Sequence, residues 1–270
     1  MRFVVATWNI NSVRLRLPLV KRFLKRHAPD VLCLQETKCP DDKFPRKAFA
    51  EIGYPHVEIY GQKGYHGVAT ISRHPLENAQ REKFCRKEDC RHLAVEIGAG
   101  FLEPLTIHNF YVPAGGDEPD PEINEKFAHK LAFLDELALH AVSADARNGA
   151  RSILVGDLNV APLEHDVWSH KQLLNVVSHT PVEVEKFRVF QETGGWIDVM
   201  REFVPASEKL YTWWSYRAAD WEASDRGRRL DHIWASPALA GAARELNVLR
   251  AARSWKQPSD HVPVMVTFDL

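Results

Sequence analysis

Pro258-Ser259-Asp260-His261-Val262 runs directly into Val264-Met265-Val266 and Phe268, an apolar stretch with the composition of a buried strand. An acid and an imidazole therefore stand side by side at the mouth of that strand. One Asp-His pair also suits an ordinary turn, so its weight depends on whether the chain repeats the arrangement.

It does. Phe3-Val4-Val5-Ala6 runs through Trp8 to Asn9, and Val31-Leu32-Cys33-Leu34 runs to Gln35 and Glu36. Leu105-Thr106-Ile107 leads through His108 and Asn109 to Tyr111, and Ile153-Leu154-Val155-Gly156 delivers Asp157 and Asn159. Leu230-Asp231-His232-Ile233-Trp234 has the same grammar. Burying an unpaired carboxylate is costly, so acids at strand ends imply convergence on one another, on a cation or on solvent. A single such segment reads as a solvated turn; the whole set argues for a site.

Helical patterns lie between these strands. Phe127, Leu131, Leu134 and Ala138 form one apolar stripe on a helix over about residues 124–140. Residues 182–190 read either way, because Val182 and Val184 alternate while Phe187 and Phe190 keep helical spacing; Gly194 and Gly195 end the element. Residues 57–60 and 67–72 are close enough to pair as antiparallel strands. The mixture predicts layered sheets with covering helices.

The chain has 270 residues, 45% of them hydrophobic, and no break in composition, so a single domain over residues 1–270 is expected. Residues 114–121 and 143–149 read as connecting loops. The formal net charge of −1 excludes whole-protein attraction to a polyanion and leaves only local basic patches. Lys21, Arg22, Lys25 and Arg26 form the polar side of a helix that buries Leu17, Val20, Phe23 and Leu24, whereas Arg226, Arg228 and Arg229 crowd the entrance to the Asp231 strand. Four cysteines without a CxxC pair argue against structural zinc and a disulfide framework. With no apolar span after Met1 and Arg2, the expected compartment is the cytoplasm, with no membrane association.

Together, Asn9, Glu36, Asp157, Asn159, Asp231, Asp260 and His261 offer carboxylates, amides and one imidazole. Hard oxygen ligands without cysteine suit Mg²⁺, with Mn²⁺ able to substitute. Such a site stabilises a phosphoryl oxygen and activates water, which makes phosphoester hydrolysis the natural reaction class. The chain has no Gly-x-Ser-x-Gly elbow for a serine hydrolase.

Trp8-Asn9-Ile10-Asn11, Leu34-Gln35-Glu36-Thr37-Lys38, Gly61-Gln62-Lys63-Gly64, Tyr111-Val112-Pro113, Gly156-Asp157-Leu158-Asn159, Arg229-Leu230-Asp231 and Ser259-Asp260-His261-Val262-Pro263 follow one another along nearly the whole chain. In order and rough spacing the set resembles the exodeoxyribonuclease III family of the endonuclease/exonuclease/phosphatase fold. The resemblance implies an α+β, four-layer α/β sandwich: two facing mixed β-sheets flanked by helices, with a metal site at one edge. It implies a Mg²⁺-dependent DNA-repair phosphodiesterase acting on double-stranded DNA with abasic sites or 3′ ends; nothing in the chain demands more than a monomer. Expected activities are 3′→5′ exonuclease, apurinic/apyrimidinic endonuclease and 3′-phosphatase.

Matched residue by residue, the resemblance makes Glu36 the principal metal ligand, with Asn9 and Asp260 nearby and Asp157, Asn159 and His261 in the wider ligand set. Asp157 resembles the group that orients or deprotonates the attacking water, and Asn159 a donor to the charged transition state. His261 resembles the imidazole at the scissile phosphate, oriented by Asp231, and Tyr111 a tyrosine near that phosphate. For substrate binding the candidates are Trp214, as an aromatic wall within Tyr211-Thr212-Trp213-Trp214-Ser215-Tyr216-Arg217, Lys63 on its glycine-rich loop, and Arg228 and Arg229. Core packing is the competing account of the aromatic run, applied first to Trp213 or Tyr216.

Two positions depart from the family pattern. Ala114 stands where Gln or Asn is frequent, and His232 where an aliphatic residue is frequent. The rival readings are a same-fold phosphatase of inositol phosphates or phospholipid head groups, and a non-catalytic nucleic-acid-binding domain. The aromatic run and arginines favour a polymer over the first; uncompensated acids, which repel phosphates, disfavour the second.

Overall fold

The computed structural model describes residues 1–98, 100, 103–218 and 220–270. Six strands form the first sheet: β1 (Arg2–Asn9), β2 (Val31–Gln35), β3 (His56–Tyr60), β4 (Val68–Ser72), β13 (Ala243–Val248) and β14 (Val264–Asp269). The second also has six: β5 (Glu77–Gln80), β6 (His92–Ile97), β7 (Leu105–Tyr111), β8 (Ser152–Asp157), β9 (Ile197–Asp198) and β12 (Asp231–Ala235). A short ribbon joins β10 (Trp213–Trp214) to β11 (Gly227–Arg228).

The strand orders are β13-β14-β1-β2-β4-β3 and β5-β6-β7-β8-β12-β9. Each sheet contains a parallel pair, β1 with β2 and β7 with β8, so both are mixed. The expected α+β sandwich is therefore present, and β3 and β4 pair antiparallel as their spacing predicts.

Side chains alternate across each strand, and the alternation builds the layers. Phe3, Val5, Val31 and Cys33 face Ile107, Ile153, Val155 and Ile233 in the core between the sheets. The opposite parity, Ala6, Trp8, Leu32 and Leu34, packs outward against Val20, Phe23 and Leu24 of the helix Leu17–His27. On the other side Phe110, Leu154 and Trp234 pack against Phe133, Leu134 and Phe187. Those last three belong to the helices Glu125–Leu139 and Pro181–Gly194.

Capping at both ends settles the ambiguous segment as helix. Thr180 and Glu183 make a reciprocal capping box at its start, and Gly195 takes the left-handed conformation at its end. Residues 143–149 are not the connecting loop expected: Ala141–Arg147 is a short helix, started by the His140 side chain accepting from the Val142 N–H. Among the described residues no helix is long and apolar enough to cross a membrane.

Gly156 lets β8 lie close to β7. Its φ is +147°, and a Cβ there would stand 1.9 Å from the carbonyl oxygen of Phe110. Gly156→Ala should destabilise the fold by about 3 kcal/mol, at the upper end of overpacking costs. Urea unfolding measures this; a loss below about 0.5 kcal/mol would mean the strands can separate freely.

Candidate active site

The inner-face parity that buries Phe3 and Val5 continues through Thr7 to Asn9. In the same way Val31 and Cys33 lead to Gln35, Ile107 to Asn109 and Tyr111, and Ile153 and Val155 to Asp157. On β12 the inner residues are Asp231, Ile233 and Ala235, with Asp231 directly opposite Asp157. The chemistry thus occupies the last inward positions of the strands, where the core gives way to solvent.

Polar groups bridge the sheets there. Asn9 donates from Nδ2 to Glu36 Oε1 at 2.9 Å and to Asp157 Oδ2 at 2.8 Å. Tyr111 donates its hydroxyl to Glu36 Oε1 at 3.0 Å. Behind them Gln35 donates to Asn109 Oδ1 at 2.8 Å, and Asn109 donates to the carbonyls of Leu34 and Ala69. Asn109 is a site-building residue that sequence reasoning passed over, although its inward parity marks it.

His261 bonds through Nδ1 to Asp231 Oδ2 at 2.8 Å, and its Nε2 lies 3.6 Å from Asp157 Oδ2. Burial alone would lower the imidazole pKa, but Asp231, Asp157 and Asp260 outweigh it and raise the value to about 10. Charged, the ring donates from both nitrogens and fits a phosphate contact; neutral, it has a lone pair for a metal. Asp157 is raised as well: burial, with Asp231 and Glu36 near, lifts its carboxyl to about 7 despite His261. That value suits a proton acceptor near neutral pH.

Asn159 follows in a left-handed turn with φ 53°, its N–H on Asp157 Oδ1 and its side-chain amide on the carbonyl of Val112. Burial opposes ionisation of Glu36, yet Lys38, Asn9 and His261 hold its carboxyl below the usual range. Lys38 Nζ sits 2.9 Å from Glu36 Oε2 and 2.7 Å from Asn11 Oδ1, and Asn11 donates to Asp260 at 3.2 Å. The ammonium shows that this acidic corner attracts a cation. Oxygen donors from Glu36, Asn9 and Asp260 fit a hard divalent ion, and Asp231 Oδ1 is buried without a partner. Among the described residues, Asp157, Asp231 and His261 are the one group of three whose ligand atoms fall within 4.8 Å of one another.

These groups open into a cleft of about 620 Å³. Its walls include Trp213 and Trp168, each stacked under an arginine: Arg228 lies 5.3 Å from the Trp213 ring and Arg226 lies 4.7 Å from Trp168. Trp213 also donates to Asp260 Oδ2 at 2.9 Å. Trp168 was missed in the sequence, where an isolated tryptophan carries no signal. Ala114 borders this cleft and a second of about 610 Å³ that holds Tyr65, His66 and Arg91.

Three expected contacts require correction or relocation. Trp214, expected as the cleft wall, is 1% exposed and packs with Tyr211, Ala252 and Val262, its Nε1 on Asp225; the wall is Trp213, and Tyr216 is exposed. Arg229 is not at the entrance but fully buried, paired with Asp166 and Asp198, each at 2.7 Å. Lys63 lies exposed outside both clefts, on the loop that carries Tyr65 and His66 to the second, where a phosphate contact stays open to it. Arg228 does reach the cleft, bonded to Ser178 Oγ at 2.8 Å. His232, on the outward face of β12, bonds the Val160 carbonyl at 2.8 Å and takes no part in the site.

The model of the endonuclease/exonuclease/phosphatase family matches residues 6–261. The chain belongs to this family. Exodeoxyribonuclease III of Haemophilus influenzae is 28% identical over 99% of this chain and 100% of its own length. Among solved structures, an AP endonuclease from Archaeoglobus fulgidus superposes with a TM-score of 0.90 at 34% identity, covering 99% of this chain and 100% of that one. A 3′-5′ exonuclease from Neisseria meningitidis gives 0.89 at 31% over the same shares. The motif resemblance to exodeoxyribonuclease III is thereby borne out.

Burial separates the corrected residues from the cleft. Trp214→Ala should cost about 3–5 kcal/mol of stability as a large core deletion, and Arg229→Met about 3–5 kcal/mol by stranding buried carboxylates. Equilibrium unfolding decides; losses under about 0.5 kcal/mol would place either side chain at the surface.

Proposed function

We propose that this protein is a Mg²⁺-dependent phosphodiesterase of duplex DNA, with 3′→5′ exonuclease, apurinic/apyrimidinic endonuclease and 3′-phosphatase activities. The observation that carries this reading is the convergence of Asp157 and of His261, backed by Asp231, on one cleft walled by tryptophan and arginine. Relatives of both nuclease kinds support it, and the Neisseria exonuclease, 31% identical, is also solved as a 3′-phosphatase variant bound to a product DNA hairpin. The same reading takes the protein as a monomer of a reducing cytoplasm, where its four free cysteines stay as thiols.

Asp157 orients a water molecule and takes its proton as the oxygen attacks phosphorus, while the ester bond to the sugar oxygen breaks and that oxygen, leaving with the bonding pair, takes a proton from solvent. Asp231 keeps the His261 imidazolium beside the phosphate, where its charge offsets the growing negative charge. Asn159 presents its remaining amide hydrogen to the same oxygens. Tyr111 fixes Glu36 by its hydroxyl bond. Glu36, with Asn9 and Asp260, would hold Mg²⁺, which supplies Lewis-acid stabilisation of a phosphoryl oxygen. Trp213 offers a face for an exposed sugar or base, and its stacked arginine meets the strand's charge.

An end-labelled duplex with one abasic site tests the reading. Cleavage should occur with Mg²⁺ or Mn²⁺ and stop on chelation; full activity in excess EDTA would sink the metal requirement. Glu36→Ala should raise the Mg²⁺ concentration giving half-maximal rate, and an unchanged requirement would remove it from the ligands.

Asp157→Asn and His261→Ala should each lower kcat by about two orders of magnitude or more, in the range of lost general-base or charge-stabilising groups, with duplex binding largely kept. Near wild-type cleavage by either variant would contradict its role. Trp213→Ala should cost about tenfold to a hundredfold on the abasic duplex, the worth of one stacking contact, and less at a fraying 3′ end. Equal losses on matched substrates would make Trp213 a general DNA contact.

A further inference from the structure

Lys130 and Glu183 form an ion pair with both side chains wholly shielded from solvent. An ammonium buried this deeply needs every proton satisfied, and its partners are specific. Besides Glu183, Lys130 Nζ donates to the carbonyl of Asn159 at 2.7 Å and to that of Ala114 at 3.4 Å. Glu183 in turn accepts from the Ser178 N–H at 3.0 Å and from Thr180 Oγ1 at 2.6 Å. Asn159, Ala114 and Ser178 stand on three separate loops, and all three line the catalytic cleft.

The packing makes the lysine stem part of the same unit. A Cβ on Gly115 would come within 2.9 Å of Lys130 Cδ, so the Ala114 loop closes directly over the chain. The carbonyl that Lys130 holds belongs to a residue in the left-handed region, the end of the turn that also carries Asp157. That carbonyl lies in the peptide joining Asn159 to Val160, so freeing it loosens the end of the turn on which the Asn159 side chain is mounted.

Building on the hydrolytic reading of the cleft, we infer that Lys130 is a positioning residue: its buried ammonium, whose charge Glu183 balances, clamps the Asp157–Asn159 turn through the Asn159 carbonyl beside the Ala114 and Ser178 loops. The clamp acts on the transition-state donors rather than on the substrate. Its loss therefore lowers kcat and leaves duplex affinity nearly unchanged. An ion pair serving only stability would do neither selectively.

Two variants separate the roles. Lys130→Met with Glu183→Gln removes both charges, and glutamine retains the capping-box acceptor. It should melt within about 5 °C of wild type, since neutral replacement of a buried pair is tolerated, yet lose about tenfold to a hundredfold in kcat with KM within about threefold. Glu183→Gln alone strands the ammonium but leaves it on the Asn159 carbonyl. It should melt roughly 5–15 °C lower and keep kcat within about threefold.

A folded double variant with wild-type kcat would overturn the proposal, as would a kcat loss in Glu183→Gln equal to that of the double variant. Hydrogen exchange reads the clamp without catalysis. In the double variant the amides of Asn159 and Ala161 should exchange at least about tenfold faster, with β8 unchanged. Unaltered exchange would refute the clamp even if the wild-type protein proved inactive, an outcome that would refute the hydrolytic reading separately.

Discussion

The hydrogen bond between Asp231 and His261 joins the two sheets at their common edge. Asp231 begins β12 of one sheet, and His261 lies three residues before β14 of the other, yet Nδ1 and Oδ2 stand 2.8 Å apart. Neither group could be buried alone: the carboxylate needs the imidazolium, and the imidazolium needs its acids. The sandwich must therefore close with this register. Asn9 on Asp157 and Gln35 on Asn109 repeat the constraint along the same edge.

This edge was legible because strand parity is legible. Phe3, Val5 and Asn9, or Ile153, Val155 and Asp157, are spaced by even numbers, so a buried apolar face predicts the face of the polar residue that ends it. The oxygen-rich ligand character followed from residue type alone. DNA as substrate did not; it entered through ordered motifs.

The errors fall where parity was unknown. Trp213 and Trp214 are neighbours on β10, and Arg228 and Arg229 span the end of β11, so one of each pair must face the cleft and the other the interior. Composition does not say which. The answer lies in distant partners: Asp225 beside Trp214, Asp166 and Asp198 around Arg229. Lys130 was invisible for a related reason, since a lysine within an amphipathic helix reads as solvated until a buried glutamate is found opposite it. Local capping likewise decided residues 143–149.

Charge arrangement gives the site its direction of reaction. A carboxyl raised toward neutrality and an imidazole raised above it form the pair on which the proposed mechanism rests, with Asp157 as proton acceptor and His261 kept charged. The direct measurement is an NMR titration of the His261 ring nitrogens in the metal-free protein, with Asp231→Asn as reference. Both nitrogens should carry protons throughout pH 6–8, the charged form disappearing only as pH rises through about 10; the Asp231→Asn ring should titrate lower. A wild-type imidazole neutral at pH 8, with an ordinary value near 6.5, would contradict the account.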